Sequence, residues 1–208
     1  MSQPLSYVER RRIQLREEII EAAIDVFAER GYHDAGVADI AERVGIGHST
    51  FYRHFDSKRA ILEQVIETVM ARATAALAGD NAPAAVATLD EYRDQVGRIA
   101  GALDAIAADA RVVRLLLVQA ASVDAALEQR LFGMFDLAVN LTAGYLDHGR
   151  DSGYLRCGLD ITATARALVG MILGTALLGL SPELDRDNRT RTIQAAVDLM
   201  FDGIVARS

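Results

Sequence analysis

Two short apolar helical patterns, one on each side of Gly45-Ile46-Gly47, constrain the fold of this chain more than any other feature. The first pattern has a single apolar face, formed by Val37, Ile40, Ala41 and Val44. The second pattern follows directly, at about 48–54. Gly45 can adopt a positive φ without a Cβ clash, and Ile46 lies where it can fill the space between the two helices. Two short helices joined by a glycine-containing turn predict a helix-turn-helix motif at about 36–55.

The second short helix has an apolar side and a polar side. Phe51 and Phe55 are expected to point into the core, which leaves the polar side chains facing outward. Those side chains are His48, Ser49, Thr50, Tyr52, Arg53 and His54. Hydrogen-bonding and cationic groups on a rigid helix of this length suit the phosphates and base edges of a DNA major groove.

The rest of the chain is also helical in pattern, without a repeat or a useful alternating pattern of strand type. Further helices are predicted at about 8–30, 58–78, 83–107, 110–121, 124–150, 160–179 and 188–206. We therefore expect an all-α fold of about nine helices. A three-helix domain is predicted at 8–57, followed by a larger helical domain at 58–208.

Composition and motifs exclude several classes of protein. The net charge of −7 argues against coating of nucleic acid through bulk charge, although residues 1–60 are less acidic than the remainder. A single cysteine, Cys157, excludes a disulfide framework and a multi-cysteine zinc site. The sequence lacks His-Glu-x-x-His, Gly-x-Ser-x-Gly and a phosphate-cradling glycine loop, so we expect neither an enzyme nor a cofactor or metal.

The sequence also predicts a cytoplasmic protein that does not enter the membrane. The amino terminus lacks the basic-then-apolar pattern of a signal peptide. The longest charge-free apolar stretch, Ala167 to Pro182, is shorter than the ~20 residues that span a bilayer.

The first third of the chain resembles the TetR family of bacterial transcriptional regulators. The resemblance rests on three segments: Ile20-x-x-Ala23-x-x-x-Phe27-x-x-x-Gly31-Tyr32, Val37-x-x-Ile40-Ala41-x-x-Val44-Gly45-Ile46 and Thr50-Phe51-Tyr52-x-His54-Phe55-x-Ser57-Lys58-x-x-Ile61-Leu62. It departs from the family pattern at Gly36 and Gly47, where the family usually has Ser or Thr, and at Ser49, where the family often has Gly.

The resemblance implies a dimeric regulator that binds a double-stranded DNA operator and is released by a small molecule, most often as a repressor. It implies that Tyr52, His54 and Lys58 contact DNA phosphates. It also implies that the remaining polar residues of the second short helix reach bases or nearby backbone; these are His48, Ser49, Thr50 and Arg53. The larger helical domain would then bind the ligand and form the dimer.

Small residues in the last two predicted helices indicate where two protomers meet. In the helix at 160–179, Ala163, Ala167, Gly170 and Gly174 lie on one stripe by the rotation per residue. Ala196, Met200 and Gly203 mark the corresponding region of the last helix. Two such helices from each protomer would form a four-helix dimer interface. The alternative is burial of the same residues within one protomer.

The helix at 124–150 carries a broad apolar arc that could line a ligand pocket. Candidate pocket residues are Met134, Leu141, Thr142, Tyr145 and His148, because apolar walls with a few polar anchors suit a small molecule. A plain hydrophobic core would use the same residues. A second functional hypothesis is a dimeric helical binding protein whose helix-turn-helix has degenerated, with the two capping glycines as its support.

Overall fold

A computed structural model describes residues 6–181 and 186–205, and this part of the chain is folded into nine α-helices. The helices are α1 (Tyr7–Arg30), α2 (Val37–Val44), α3 (His48–Tyr52), α4 (Lys58–Ala76), α5 (Leu89–Ala107), α6 (Ala110–Arg114), α7 (Ala125–Asp151), α8 (Ile161–Leu178) and α9 (Arg186–Ile204). The helix α6 continues as a π turn and a 3₁₀ turn up to Ser122. The described residues form no β-strand, only an isolated bridge between Leu155 and Val205. The prediction of an all-α fold is confirmed.

Local capping signals fix where the helices begin. At the start of α1, the backbone N–H of Glu9 donates to the Ser6 hydroxyl (3.2 Å), and the Glu9 carboxylate accepts the Ser6 N–H (2.8 Å). The predicted start of a helix at 83 is wrong. The chain forms a short 3₁₀ turn at Pro83–Ala85, and α5 begins at Leu89 behind a second capping box, made by Thr88 and Glu91.

Two hydrophobic cores organise the protein. The first joins α1–α4 to the corner between α6 and α7, where Leu115, Leu116, Leu127 and Leu131 are buried. Ile61 and Leu62 of α4 belong to the same core, so it extends past the boundary predicted at residue 57. The second core lies where α5, α7, α8 and α9 meet, around Tyr92, Leu146 and Phe201.

Polar contacts also attach the first four helices to α6 and α7. Arg59 Nε on α4 lies 2.7 Å from Asp124 Oδ2, at the start of α7. The backbone N–H of Tyr32 donates to Gln119 Oε1 at 2.9 Å. One contact is made by the loop that follows α1, and the other by the first turn of α4. The segment between them, which contains the helix-turn-helix, is therefore attached to α6 and α7 at both of its ends.

The helix α8 leaves most of its surface outside both cores. Among the described helices it is the one long and apolar enough to cross a membrane by length and composition, and only 11% of it is buried. The two buried residues are Ala165 and Val169. The open apolar side of α8 is therefore a candidate interaction surface.

Candidate nucleic-acid interface and cavity

The helix-turn-helix forms as the glycine pattern predicts. Gly45 adopts φ 74° and ψ 33° and ends α2 in the left-handed conformation. Gly47 precedes α3 without a side-chain cap. Phe51 and Phe55 are buried in the first core, which fixes the rotation of α3. The substitution of a hydroxyl by glycine at the caps has therefore not prevented either short helix from forming.

The polar side of α3 faces away from the core. His48, Ser49, Tyr52 and Arg53 are exposed, and 53% of Tyr52 is accessible although two inward-pointing phenylalanines flank it. Thr50 is half-buried, and its hydroxyl accepts a hydrogen bond from Arg53 Nη2 at 3.1 Å. Four exposed polar side chains on one short helix provide donors and acceptors for a partner surface.

His54 follows α3 in the turn rather than lying within it, and it is half-buried. Burial lowers the pKa of His54 from its usual value of 6.5, and the positive charges of Arg16, Arg53 and Arg12 lower it further. A histidine among three arginines marks a locally positive surface beside α3, in a chain whose net charge is −7. Such a surface attracts phosphate.

The ammonium group of Lys58 is bound to the loop between α1 and α2, a contact that the sequence pattern did not indicate. Its Nζ donates to the backbone carbonyl oxygens of Tyr32 (2.7 Å), His33 (3.0 Å) and Ala35 (2.8 Å). It also lies 4.6 Å from the centre of the Tyr32 ring. An ammonium group has three N–H donors, and all three are used here. Lys58 therefore anchors the loop between α1 and α2, and its contact with DNA phosphate stays a prediction.

A cavity of about 340 Å³ lies among α4, α5, α7, α8 and α9. Four of the five predicted pocket residues line it: Met134, Leu141, Thr142 and Tyr145. The fifth does not. His148 points instead to the backbone carbonyl of Val86 (3.2 Å), and its ring packs against Tyr154. The apolar arc on α7 is broader than the cavity, and His148 lies at the edge that packs into the second core.

Several polar groups in the cavity wall already have partners within the protein. The hydroxyls of Thr142 and Thr175 donate to carbonyls of their own helices, at 2.8 Å each. The carbonyl oxygens of Leu77 and Asn81 share the single O–H donor of Tyr145, and burial raises the pKa of Tyr145. The charged residues that line the cavity, within the described ranges, are Asp104 and Arg189, and they pair with each other at 2.5 Å. The cavity therefore suits a predominantly apolar molecule.

The cavity also includes residues that the sequence analysis missed. The helix α5 contributes Val96, Ile99, Ala100 and Leu103 to the wall. Their spacing, at i, i+3, i+4 and i+7, is an amphipathic signal that was available in the sequence. Arg189 had no such signal, because its role depends on the packing of α9 against α5.

The small-residue stripe on α8 lies on the surface of the protomer. Ala163, Ala167 and Gly170 are exposed and Gly174 is half-buried, as a dimer interface requires. On α9, Ala196 and Met200 are half-buried and line the cavity, and their place in a dimer interface stays a prediction. Gly203 is exposed, and Leu199, which is 68% accessible, is the large apolar residue on the open side of α9.

Comparison with known proteins agrees with this geometry. The family model for bacterial regulatory proteins of the tetR family matches residues 19–65, which begin in the second half of α1 and reach into α4. The fatty acid metabolism regulator protein of Bacillus subtilis is 25% identical over 156 residues, which is 74% of this chain and 78% of that protein. The IcaR negative transcriptional regulator of the Staphylococcus aureus biofilm operon is 42% identical over 53 residues, 26% of this chain and 28% of IcaR.

A solved structure shows that the likeness in fold extends over both parts of the chain. The crystal structure of the transcriptional regulator FadR from Bacillus subtilis, in complex with stearoyl-CoA, has a TM-score of 0.68 and 21% sequence identity. The match covers 90% of this chain and 98% of that one. The helix-turn-helix region, residues 19–65, is thus similar in sequence to the bacterial regulatory proteins of the tetR family, and the remaining helices are similar to the solved structure in fold.

Proposed function

We propose that the protein is a sequence-specific DNA-binding regulator, a repressor that leaves a palindromic operator when an apolar small molecule occupies the cavity. The observation that carries this proposal is the course of α4. Its first residue, Lys58, anchors the helix-turn-helix, and Val69, Met70 and Leu77 farther along line the cavity. One rigid helix therefore has a DNA-side end and a ligand-side end.

A dimer is part of this proposal. One recognition helix offers too few base contacts for strong specificity, so two must bind successive faces of the major groove together. The open, apolar side of α8 supports such a pairing, since small residues there allow close approach of another helix. The distance between the two recognition helices is then set by the dimer, and a ligand that changes this distance lowers operator affinity.

The effector that fits the cavity is a molecule with a long apolar part. The Thr142 and Thr175 hydroxyls already donate hydrogen bonds within their own helices, so they offer the effector few polar contacts. The Asp104–Arg189 ion pair is the charged part of the cavity wall. A relative is named as a fatty acid metabolism regulator, and the fold neighbour binds stearoyl-CoA. We propose an acyl chain as the first class of effector to test. We also propose that the protein binds its DNA in the cytoplasm and has no role at the membrane.

The test has a DNA step and a ligand step. Purified protein first selects fragments from genomic DNA, and the enriched fragments should share a palindromic site. Gel shifts on that site are then titrated with stearoyl-CoA, with acetyl-CoA as the matched control that lacks the long chain. We expect release by stearoyl-CoA alone. Failure to enrich DNA, together with binding of stearoyl-CoA, would favour the degenerate helix-turn-helix and overturn the regulator.

A further inference from the structure

Arg16, in the middle of α1, joins three parts of the DNA-binding region through one guanidinium group. Its Nη1 donates to the backbone carbonyl oxygen of His54 at 2.6 Å. Its Nη2 donates to Gln64 Oε1, on α4, at 2.8 Å. The guanidinium carbon lies 4.0 Å from the centre of the Phe55 ring. Arg16 thus contacts the segment that leaves α3 and the second turn of α4 at the same time.

These contacts satisfy groups at the carboxyl-terminal end of the recognition helix. Carbonyl groups at the end of a helix lack partners within the helix, and a cation there is favourable. His54 lies at that end, since its own N–H still donates back to the Phe51 carbonyl at 2.8 Å. Because α3 has only five residues, its direction depends on contacts at its ends as much as on its buried phenylalanine.

We infer that Arg16 is a positioning residue that fixes the end of the recognition helix to α4 and so sets the angle at which α3 meets DNA. This inference rests on the proposed function, because it assigns a role within DNA binding. This positioning role distinguishes Arg16 from the neighbouring arginines. Arg12 and Arg53 are exposed and available to phosphates, whereas Arg16 is half-buried and holds a backbone carbonyl, an amide and a ring.

The geometry requires the planar fork of arginine rather than a positive charge alone. Two nitrogens of one group reach acceptors on different elements while the plane of the group lies over an aromatic ring. A lysine at this position keeps the charge, but its single nitrogen cannot occupy the places of both Nη1 and Nη2, and it has no planar group to stack on Phe55. Arg16→Lys therefore separates a positioning role from a phosphate contact.

The experiment measures affinity for the operator that wild-type protein selects and for a non-specific duplex of equal length. For both Arg16→Ala and Arg16→Lys we expect operator affinity to fall about tenfold, or about 1.4 kcal/mol, with non-specific affinity and its salt slope nearly unchanged. Arg12→Ala, four residues earlier on α1, is the matched control. It should leave the ratio of specific to non-specific affinity at the wild-type value.

A second pair of variants tests the same contact from α4. Gln64→Leu removes the acceptor and should lower the affinity ratio in the same direction, whereas Gln64→Glu keeps an acceptor oxygen and should preserve the ratio. This pair decides the matter if the Arg16 variants do not fold, as judged by thermal melting.

The inference is overturned if Arg16→Lys binds like wild type while Arg16→Ala loses specific and non-specific affinity equally, with a salt slope reduced by about one. That result would make Arg16 a phosphate contact. An unchanged ratio in folded variants at both positions would also overturn it. A wild-type protein that selects no DNA would instead refute the proposed function, which is a separate outcome.

Discussion

The hydroxyl of Tyr145 lies 3.0 Å from the backbone carbonyl oxygen of Leu77, so a residue in the cavity wall holds the far end of α4. The aromatic ring of Tyr145 faces the cavity, and its hydroxyl closes the last turn of the helix that begins at Lys58. A molecule that displaces this ring disturbs the end of α4 directly. This hydrogen bond adds a link between α7 and the end of α4, beside the residues of α4 that line the cavity themselves.

Tyr145→Phe should weaken the response to ligand while leaving operator affinity within about threefold of wild type. The variant keeps the ring in the wall but removes the one O–H donor that the carbonyl oxygens of Leu77 and Asn81 share, which is worth about 1 kcal/mol. The measurement is release of a fluorescent operator by stearoyl-CoA, followed by anisotropy.

Thr142→Val is the matched control for Tyr145→Phe. The Thr142 hydroxyl also lines the cavity, but it bonds only to the carbonyl of Ala138 in its own helix, so its loss disconnects no two elements. We expect the control to respond to stearoyl-CoA as wild type does. Equal responses from both variants and wild type would show that the Tyr145 hydroxyl does not couple the cavity to α4.

The sequence was sufficient to predict the helix-turn-helix because its signals are local. The positive φ of Gly45, the inward Phe51 and the capping box at Ser6 each depend on neighbours within a few residues. The roles of Lys58 and His148 depend instead on distant backbone carbonyls, at Tyr32 and Val86. No periodicity encodes such contacts, which explains why the sequence predicted a pocket position for His148 and gave no sign that Lys58 holds the loop after α1.

Lys58→Ala should destabilise the protein as well as weaken DNA binding. Removal of the ammonium leaves three carbonyl oxygens without their donor, and we expect a cost of about 1–3 kcal/mol in the free energy of unfolding. Urea unfolding measures this cost, and the salt dependence of DNA binding measures any phosphate contact. Unchanged stability with a salt slope reduced by about one would mean that the ammonium serves phosphate rather than the loop.

Gly170→Leu should yield folded monomers. In the described part of the protomer, no atom outside the helix's own backbone and the neighbouring residues lies within 4 Å of the position that a Cβ would occupy at Gly170, so a side chain can begin there without a clash. Close approach of a second helix would be blocked, at a cost of about 1–3 kcal/mol for overpacking. Sedimentation measures the assembly and circular dichroism the fold. Gly97→Leu, an equally open glycine on α5, is the control and should remain dimeric.

The stripe of small residues that contains Gly170 shows how far one sequence can predict an interface. The small-residue stripe on α8 identified the open side of that helix, because helical rotation alone places those residues together. On α9, rotation could not distinguish the side that faces the cavity from the side that faces outward, since both carry apolar residues. The packing of α9 against α5 places the half-buried Ala196 and Met200 in the cavity wall and leaves Leu199 exposed.

Operator affinity should rise as the pH falls from about 8 to about 6, and His54 should carry part of this change. In the free protein, burial and the charges of Arg16 and Arg12 on α1 and of Arg53 after α3 lower the pKa of His54, which favours the neutral ring near pH 7. A phosphate beside the ring stabilises its protonated form and raises the pKa again. The complex then binds more protons than the free protein, so lower pH favours binding by at most about tenfold per pH unit for one group.

His54→Gln should flatten this pH dependence while keeping a hydrogen-bonding side chain at the same place. The measurement is operator affinity at constant ionic strength across that pH range, with His33→Gln as the control. His33 lies in the loop after α1, where its ring contacts Ser122 at 3.4 Å rather than the surface of α3. A pH dependence that survives in His54→Gln but disappears in His33→Gln would place the proton uptake in the α1–α2 loop and contradict a phosphate contact at His54.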